Sequence, residues 1–164
     1  MPNFFVLEDE LDWLNIHRTS IENALTIAKF EHRKKVGEHK IKHKVTPAAN
    51  YDEGVQLTYA RKFDAYLVDG RFPMHNGDVQ KHLLGVEFVK YLKSQGVPTG
   101  KIFFISSQHS MLEKAIEEGL EHVFKKNNVE NEETLSKVVR PYSDLSQTLR
   151  YALQAAKPDL FPPQ

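Results

Sequence analysis

The sequence has no cysteine. That excludes disulfides, thiolate metal sites and a cysteine nucleophile, and it fits a reducing compartment. It has no net charge: Lys and Arg number 22, and so do Asp and Glu. No global field therefore favours nucleic acid or a membrane surface. No apolar run approaches the ~20 residues needed to span a bilayer. The N-terminus lacks a basic region followed by a long apolar stretch, so no signal peptide is expected and the expected location is cytoplasmic. Internal repeats and low-complexity segments are absent. What is present is 164 residues, 40% of them apolar. That is enough for one domain of roughly 100–150 residues with something added.

The most informative stretch is Phe63 to Pro73. Its apolar run, Ala65 to Val68, is long enough for a buried strand and too short for a typical helix. The run ends in Asp69, and Gly70 and Pro73 then turn the chain. Asp69 alone fits a simple turn start. Other stretches repeat the pattern. Phe4 to Leu7 is an apolar run that leads into Glu8, Asp9 and Glu10, and Ile102 to Ile105 leads into Ser106 and Ser107. A weaker run, His122 to Phe124, leads into Lys125 and Lys126.

Helical spacing fills the intervals. Leu14, Ile21, Leu25 and Ala28 share one face of a helix expected from Leu11 to about Phe30. The basic stretch from His32 to Lys44, with Ile41, His43 and Val45 alternating with lysines, reads as a lysine-guarded sheet edge rather than a patch for an anionic partner. Asn50 and Glu53 form a capping box for a short helix through about Ala60. Leu84, Phe88, Val89 and Leu92 mark another helix. Ser110 and Glu113 form a second expected capping box, for a helix ending at Gly119. Val129 to Arg140 suits one more helix.

Strands and helices thus alternate about five times. This predicts an α/β fold: a doubly wound, five-stranded parallel sheet, flavodoxin-like in the order 2-1-3-4-5, with helices on both faces. An extra C-terminal helix is expected from Ser143 to Ala156, on the stripe Leu145, Leu149, Ala152 and Ala156. It would pack back on the domain or form a dimer contact. The expected division is a domain over 1–141 and a helical extension with a Pro-rich tail over 142–164.

In a parallel sheet the carboxyl ends of all strands meet on one edge, where ligands bind. Glu8, Asp9 and Asp69 would converge there, and three close carboxylates need a proton or a cation. Oxygen ligands without Cys or clustered His suit Mg²⁺ better than zinc. Lys126 would add a point charge and Ser106 a hydroxyl, both suited to phosphoryl oxygens. A carboxylate can itself be a nucleophile toward phosphorus.

These four stretches resemble the signatures of response-regulator receiver domains over roughly residues 3–140. The resemblance implies that Asp69 is the phosphoacceptor. It implies that Asp9 ligates Mg²⁺ directly, Glu8 through water, and Arg71 through its backbone carbonyl. Ser106 matches the Ser/Thr whose hydroxyl follows the phosphoryl group, and Lys126 the lysine that pairs with it, with Lys125 as a competitor for that role. It also implies a phosphohistidine donor on a sensor histidine kinase or a histidine phosphotransfer protein. Output would be by binding another protein or by relaying phosphate. A single-domain regulator is expected, with no DNA-binding domain and a possible homodimer. It would not be an enzyme in its own right, although receivers assist their own phosphotransfer and dephosphorylation.

Departures from the pattern are Asn127 where proline usually follows the lysine, Val123 where an aromatic commonly switches rotamer, and a long Met74–His82 loop. His75 in that loop reads as idle. Two other readings compete: a receiver-like scaffold that is not phosphorylated, and an aspartyl-nucleophile phosphatase. The latter wants an acid two residues after the nucleophile, where this chain has Arg71.

Overall fold

The structure is a computed structural model that describes residues 1–161. Residues 162–164, at the end of the expected Pro-rich tail, lie outside the described residues. The four strongest apolar runs become strands, as expected: β1 (Asn3–Leu7), β5 (Ala65–Asp69), β6 (Ile102–Ser106) and β7 (His122–Lys125). A fifth, β4 (Lys44–Ala48), lies on the edge beside β1, and a two-residue strand, β8 (Arg140–Pro141), closes the other edge. Among the described residues these form one parallel sheet in the order β4-β1-β5-β6-β7-β8. Four of the predicted strands form, and the order 2-1-3-4-5 is kept, but its edge place is taken by Lys44–Ala48 rather than by the basic stretch, and β8 is added. Pro47 is tolerated because β4 is an edge strand.

The central strands read as unbroken apolar runs because both faces are covered. Phe4, Val6, Leu67, Phe103 and Ile105 point to a core completed by Ile21, Ala24, Leu145, Leu149 and Leu153. These last come from α1 (Leu11–Ala24) and α5 (Leu145–Ala156). The alternate residues Phe5, Leu7, Val68 and Phe104 point the other way. They meet α2 (Tyr51–Thr58), α3 (Gly85–Ser94) and α4 (His109–Glu117) through Val55, Phe88, Val89, Leu92, Met111 and Leu112. The C-terminal helix therefore packs back on the sheet, and its three leucines are fully or nearly fully buried.

Three local expectations are corrected. First, α1 stops at Ala24, and the basic stretch is not the sheet edge. Thr26–Glu31 and Lys34–Lys40 form an antiparallel hairpin, β2 and β3, separate from the main sheet. Its two turn residues, His32 and Arg33, both have positive φ, 49° and 69°. That is the geometry a two-residue hairpin needs, here without the usual Gly or Asn signal.

Second, the 129–140 helix does not form. Asn131 adopts a left-handed conformation, and a 3-10 turn at Glu132–Thr134 is all the helix that follows before β8. Val129 and Leu135 are six residues apart, which puts them on different faces of a helix.

Third, of the two expected capping boxes, Asn50 caps its helix and Ser110 does not. Asn50 Oδ1 accepts from Glu53 N at 2.9 Å. The helix near Ser110 instead starts at His109 without a side-chain cap, and the Glu113 carboxylate accepts from Ser136 N. Asn50→Ala should therefore lower stability by about 1 kcal/mol. Ser110→Ala should stay within about 0.5 kcal/mol of the parent. Urea denaturation of the two variants checks the contrast.

Candidate functional site

The sheet order reverses between β1 and β5, and the strand register sets what meets there. Leu7 lies opposite Val68, and Asp69 opposite Ile105. Asp69 and Ser106 thus end two adjacent central strands, and Glu8 and Lys126 each follow directly on the strands flanking them. Asp9, Asp69, Arg71, Ser106 and Lys126 line one cleft of about 120 Å³, together with Lys81. Glu8, Asp9 and Asp69 each offer a carboxylate oxygen within 4.8 Å of the others. Glu8 is 2% exposed and Asp69 6%.

Lys126 answers this charge. Its Nζ lies 2.8 Å from Asp69 Oδ1 and 3.0 Å from Glu8 Oε1. Its ammonium also sits 4.5 Å from the centre of the Trp13 ring, a cation–π contact. Lys125 turns away and pairs with Glu132, so of the two adjacent lysines only Lys126 faces the carboxylates.

The close approach requires small neighbours. A Cβ on Gly70 would meet Ser106 Oγ at 2.5 Å. Ser106 Oγ accepts from Gln108 N at 3.0 Å, which orients the hydroxyl at the start of α4.

Burial sets the electrostatics. Desolvation and the Glu8 charge push the Asp69 carboxyl up to about 7, against the pull of Lys126. Burial also opposes charge on Glu8, but hydrogen bonds from His17 and Lys126 outweigh it and hold Glu8 below its ordinary value. His17 is itself 1% exposed, and burial keeps it neutral despite Glu8. One tautomer satisfies every partner. Nε2–H donates to Glu8 Oε1 at 3.2 Å, Nδ1 accepts from the Tyr142 hydroxyl at 2.8 Å, and that hydroxyl accepts from Ser20 at 2.9 Å.

No family model matches the chain, and no curated protein matches it. Solved structures do. The chain is similar to the receiver domain of the Francisella response regulator 1452 over 96% of its own length and 100% of that domain, with 14% identity and a TM-score of 0.59. It is similar to a response-regulator receiver domain from Clostridium thermocellum over 96% and 98% of the two chains, with 15% identity and a TM-score of 0.58. The chain has the fold of a response-regulator receiver domain. A Burkholderia pseudomallei response regulator, solved with a phosphorylated aspartic acid, a calcium ion and citrate, matches over 99% of this chain and 76% of that one, with 19% identity and a TM-score of 0.51.

On this receiver fold, five of the six residues named from sequence, Asp9, Asp69, Arg71, Ser106 and Lys126, line the cleft. The sixth, Glu8, touches it through Lys126. Arg71 N lies 3.4 Å from Asp69 Oδ2, so the turn wraps the end of the strand. His75 pairs with Asp52 and does not line the cleft. Sequence reasoning missed Lys81, whose Nζ is 2.7 Å from Asp9 Oδ2; nothing local marks it. It also missed His17, Trp13 and Tyr142. His17 carried a signal: it interrupts the apolar stripe of Leu14 and Ile21, and a polar group on a buried stripe needs a partner.

The donor set fits a hard divalent cation. All three candidate ligands are carboxylates, and Asp9 Oδ1 is buried with no hydrogen-bond partner. An orphaned oxygen on a carboxylate that clusters with two more acids is what a cation would satisfy.

Proposed function

We propose that this chain is a phosphoacceptor of a two-component phosphorelay, phosphorylated on Asp69 from a phosphohistidine donor with Mg²⁺. The observation that carries this reading is the position of Asp69. It ends a buried central strand, opens into a cleft, is paired to Lys126 at 2.8 Å and stands within 4.8 Å of two further acids. The phosphorylated aspartic acid and calcium ion of the Burkholderia pseudomallei neighbour support carrying the same chemistry to this chain.

In the proposed transfer, an Asp69 carboxylate oxygen forms a bond to phosphorus as the phosphorus–nitrogen bond of the donor histidine breaks. The electron pair of that bond stays on the imidazole, which takes up a proton. Lys126 favours the ionised carboxylate before transfer and faces the phosphoryl oxygens after it. The Ser106 hydroxyl, on the neighbouring strand end, is within the same cleft for a hydrogen bond to one of those oxygens. Glu8, Asp9, Asp69 and the Arg71 carbonyl would hold Mg²⁺, which when bound supplies positive charge to the phosphoryl oxygens. His17 and Tyr142 hold Glu8 in place. Arg71, two residues after Asp69, offers no acid for rapid turnover.

The partner for this chemistry is a sensor histidine kinase or a histidine phosphotransfer protein, with output through a bound protein or onward relay. Among the described residues no helix is long and apolar enough to cross a membrane.

Incubation with Mg²⁺ and a small acyl phosphate, followed by intact-mass measurement, tests the reading. The expected result is a single phosphoryl adduct that needs Mg²⁺ and is absent from Asp69→Asn. Rapid multiple turnover would indicate a phosphatase, and no adduct under any condition would indicate an unphosphorylated scaffold.

A further inference from the structure

Lys81 reaches the cleft from the long segment between β5 and α3. That segment is fastened where it returns. Phe72 and His82 exchange backbone hydrogen bonds of 3.1 and 3.0 Å, an isolated antiparallel bridge. Lys81 is the residue before this bridge, so its backbone is held beside the end of β5. Its ammonium lies 2.7 Å from Asp9 Oδ2 and 3.2 Å from Glu10 Oε1, and its side chain is 31% exposed. Asp9 is thus half committed: one oxygen holds the ammonium while the other is the buried orphan.

We propose that Lys81 is a tethered cation that competes with the divalent ion for Asp9, so that metal loading requires the ammonium to leave. The inference rests on the reading of Glu8, Asp9 and Asp69 as a metal cradle. The charges support it. Lys126 serves Glu8 and Asp69, and Lys81 serves Asp9, so each acid has a lysine before a metal arrives. A divalent ion in contact with Asp9 would face the Lys81 ammonium at short range, and like charges there repel. The lysine stem is flexible and the head part-exposed, so the ammonium can swing to solvent. A lysine pair of this exposure is worth up to about 1 kcal/mol, so its competition should weaken metal binding about fivefold.

Mn²⁺ alone, which takes oxygen ligands like Mg²⁺, is the probe. Free ion is counted by electron paramagnetic resonance during titration of the full chain. Lys81→Met should bind Mn²⁺ about fivefold more tightly than the parent. Lys81→Arg should stay within about twofold of it, and Asp9→Asn should lose binding. Equal or weaker binding by Lys81→Met, with Asp9→Asn still impaired, overturns the competition and leaves the cradle standing. Undetectable binding by the parent and Lys81→Met alike overturns both.

Discussion

Lys126→Met should lower stability by about 3 kcal/mol at pH 8 and slow phosphorylation of Asp69 about 100-fold. The lysine side chain is only 8% exposed and pairs with two carboxylates that are buried in turn. Methionine fills much of the same volume and keeps contact with Trp13, so packing is largely preserved. The loss is therefore electrostatic: Glu8 and Asp69 remain close together without a counter-charge.

Their escape is protonation, which sets the pH dependence. Burial and the Glu8 charge already push Asp69 up to about 7, and removing Lys126 raises it further. Glu8, held below its ordinary value partly by Lys126, rises too. A raised carboxyl pKa lowers stability above the unfolded value, and the loss disappears as pH falls toward that value. The deficit of Lys126→Met should therefore shrink from pH 8 to pH 5. Urea midpoints of parent and variant across that range check it, and a deficit constant with pH would mean that packing was lost instead.

Gly85→Ala should cost about 2–3 kcal/mol and impair the site without touching any reacting group. Gly85 opens α3 where the helix crosses the end of β5. A Cβ there would meet the Asp69 carbonyl oxygen at 2.5 Å, Gly70 Cα at 2.7 Å and Phe104 Cε2 at 2.9 Å. Two of these three neighbours are backbone atoms and cannot rotate aside. Either α3 moves off the sheet or the Asp69–Gly70 backbone shifts, and the second displaces the candidate phosphoacceptor relative to Lys126. Gly100→Ala is the control, since a Cβ there meets nothing within 4 Å. The check is a lowered urea midpoint at unchanged slope for Gly85→Ala alone, together with slower formation of the phosphoryl adduct.

The sheet and the rim were legible in the sequence because they follow from local chemistry. Phe4 to Leu7, Ala65 to Val68 and Ile102 to Ile105 are continuous apolar runs that only a doubly covered strand explains, and each ends in a polar side chain. Their convergence needed only the rule that parallel strands share an edge.

The hairpin was not legible. Leu25 and Ala28 continue the helical stripe of α1, and β2 is set by its pairing with β3. That pairing turns at His32 and Arg33, neither a usual turn residue. The absent 129–140 helix shows tertiary placement overriding weak local propensity: polar Glu130 to Glu133 give it no apolar stripe to bury. Lys81 was invisible for a simpler reason. Its partner Asp9 is far away in sequence, and no spacing rule reports an ion pair made by a loop.

The central claim is that Asp69 accepts phosphorus within this cradle, and locating the modified atom tests it most directly. The chain is treated with Mg²⁺ and a small acyl phosphate, reduced with borohydride to trap any acyl phosphate, digested and sequenced by tandem mass spectrometry. The account predicts reduction at Asp69 alone, converting it to homoserine. Trapping at Glu8 or Asp9, a phosphate carried by Ser106 or His75, or no modification at all would contradict it.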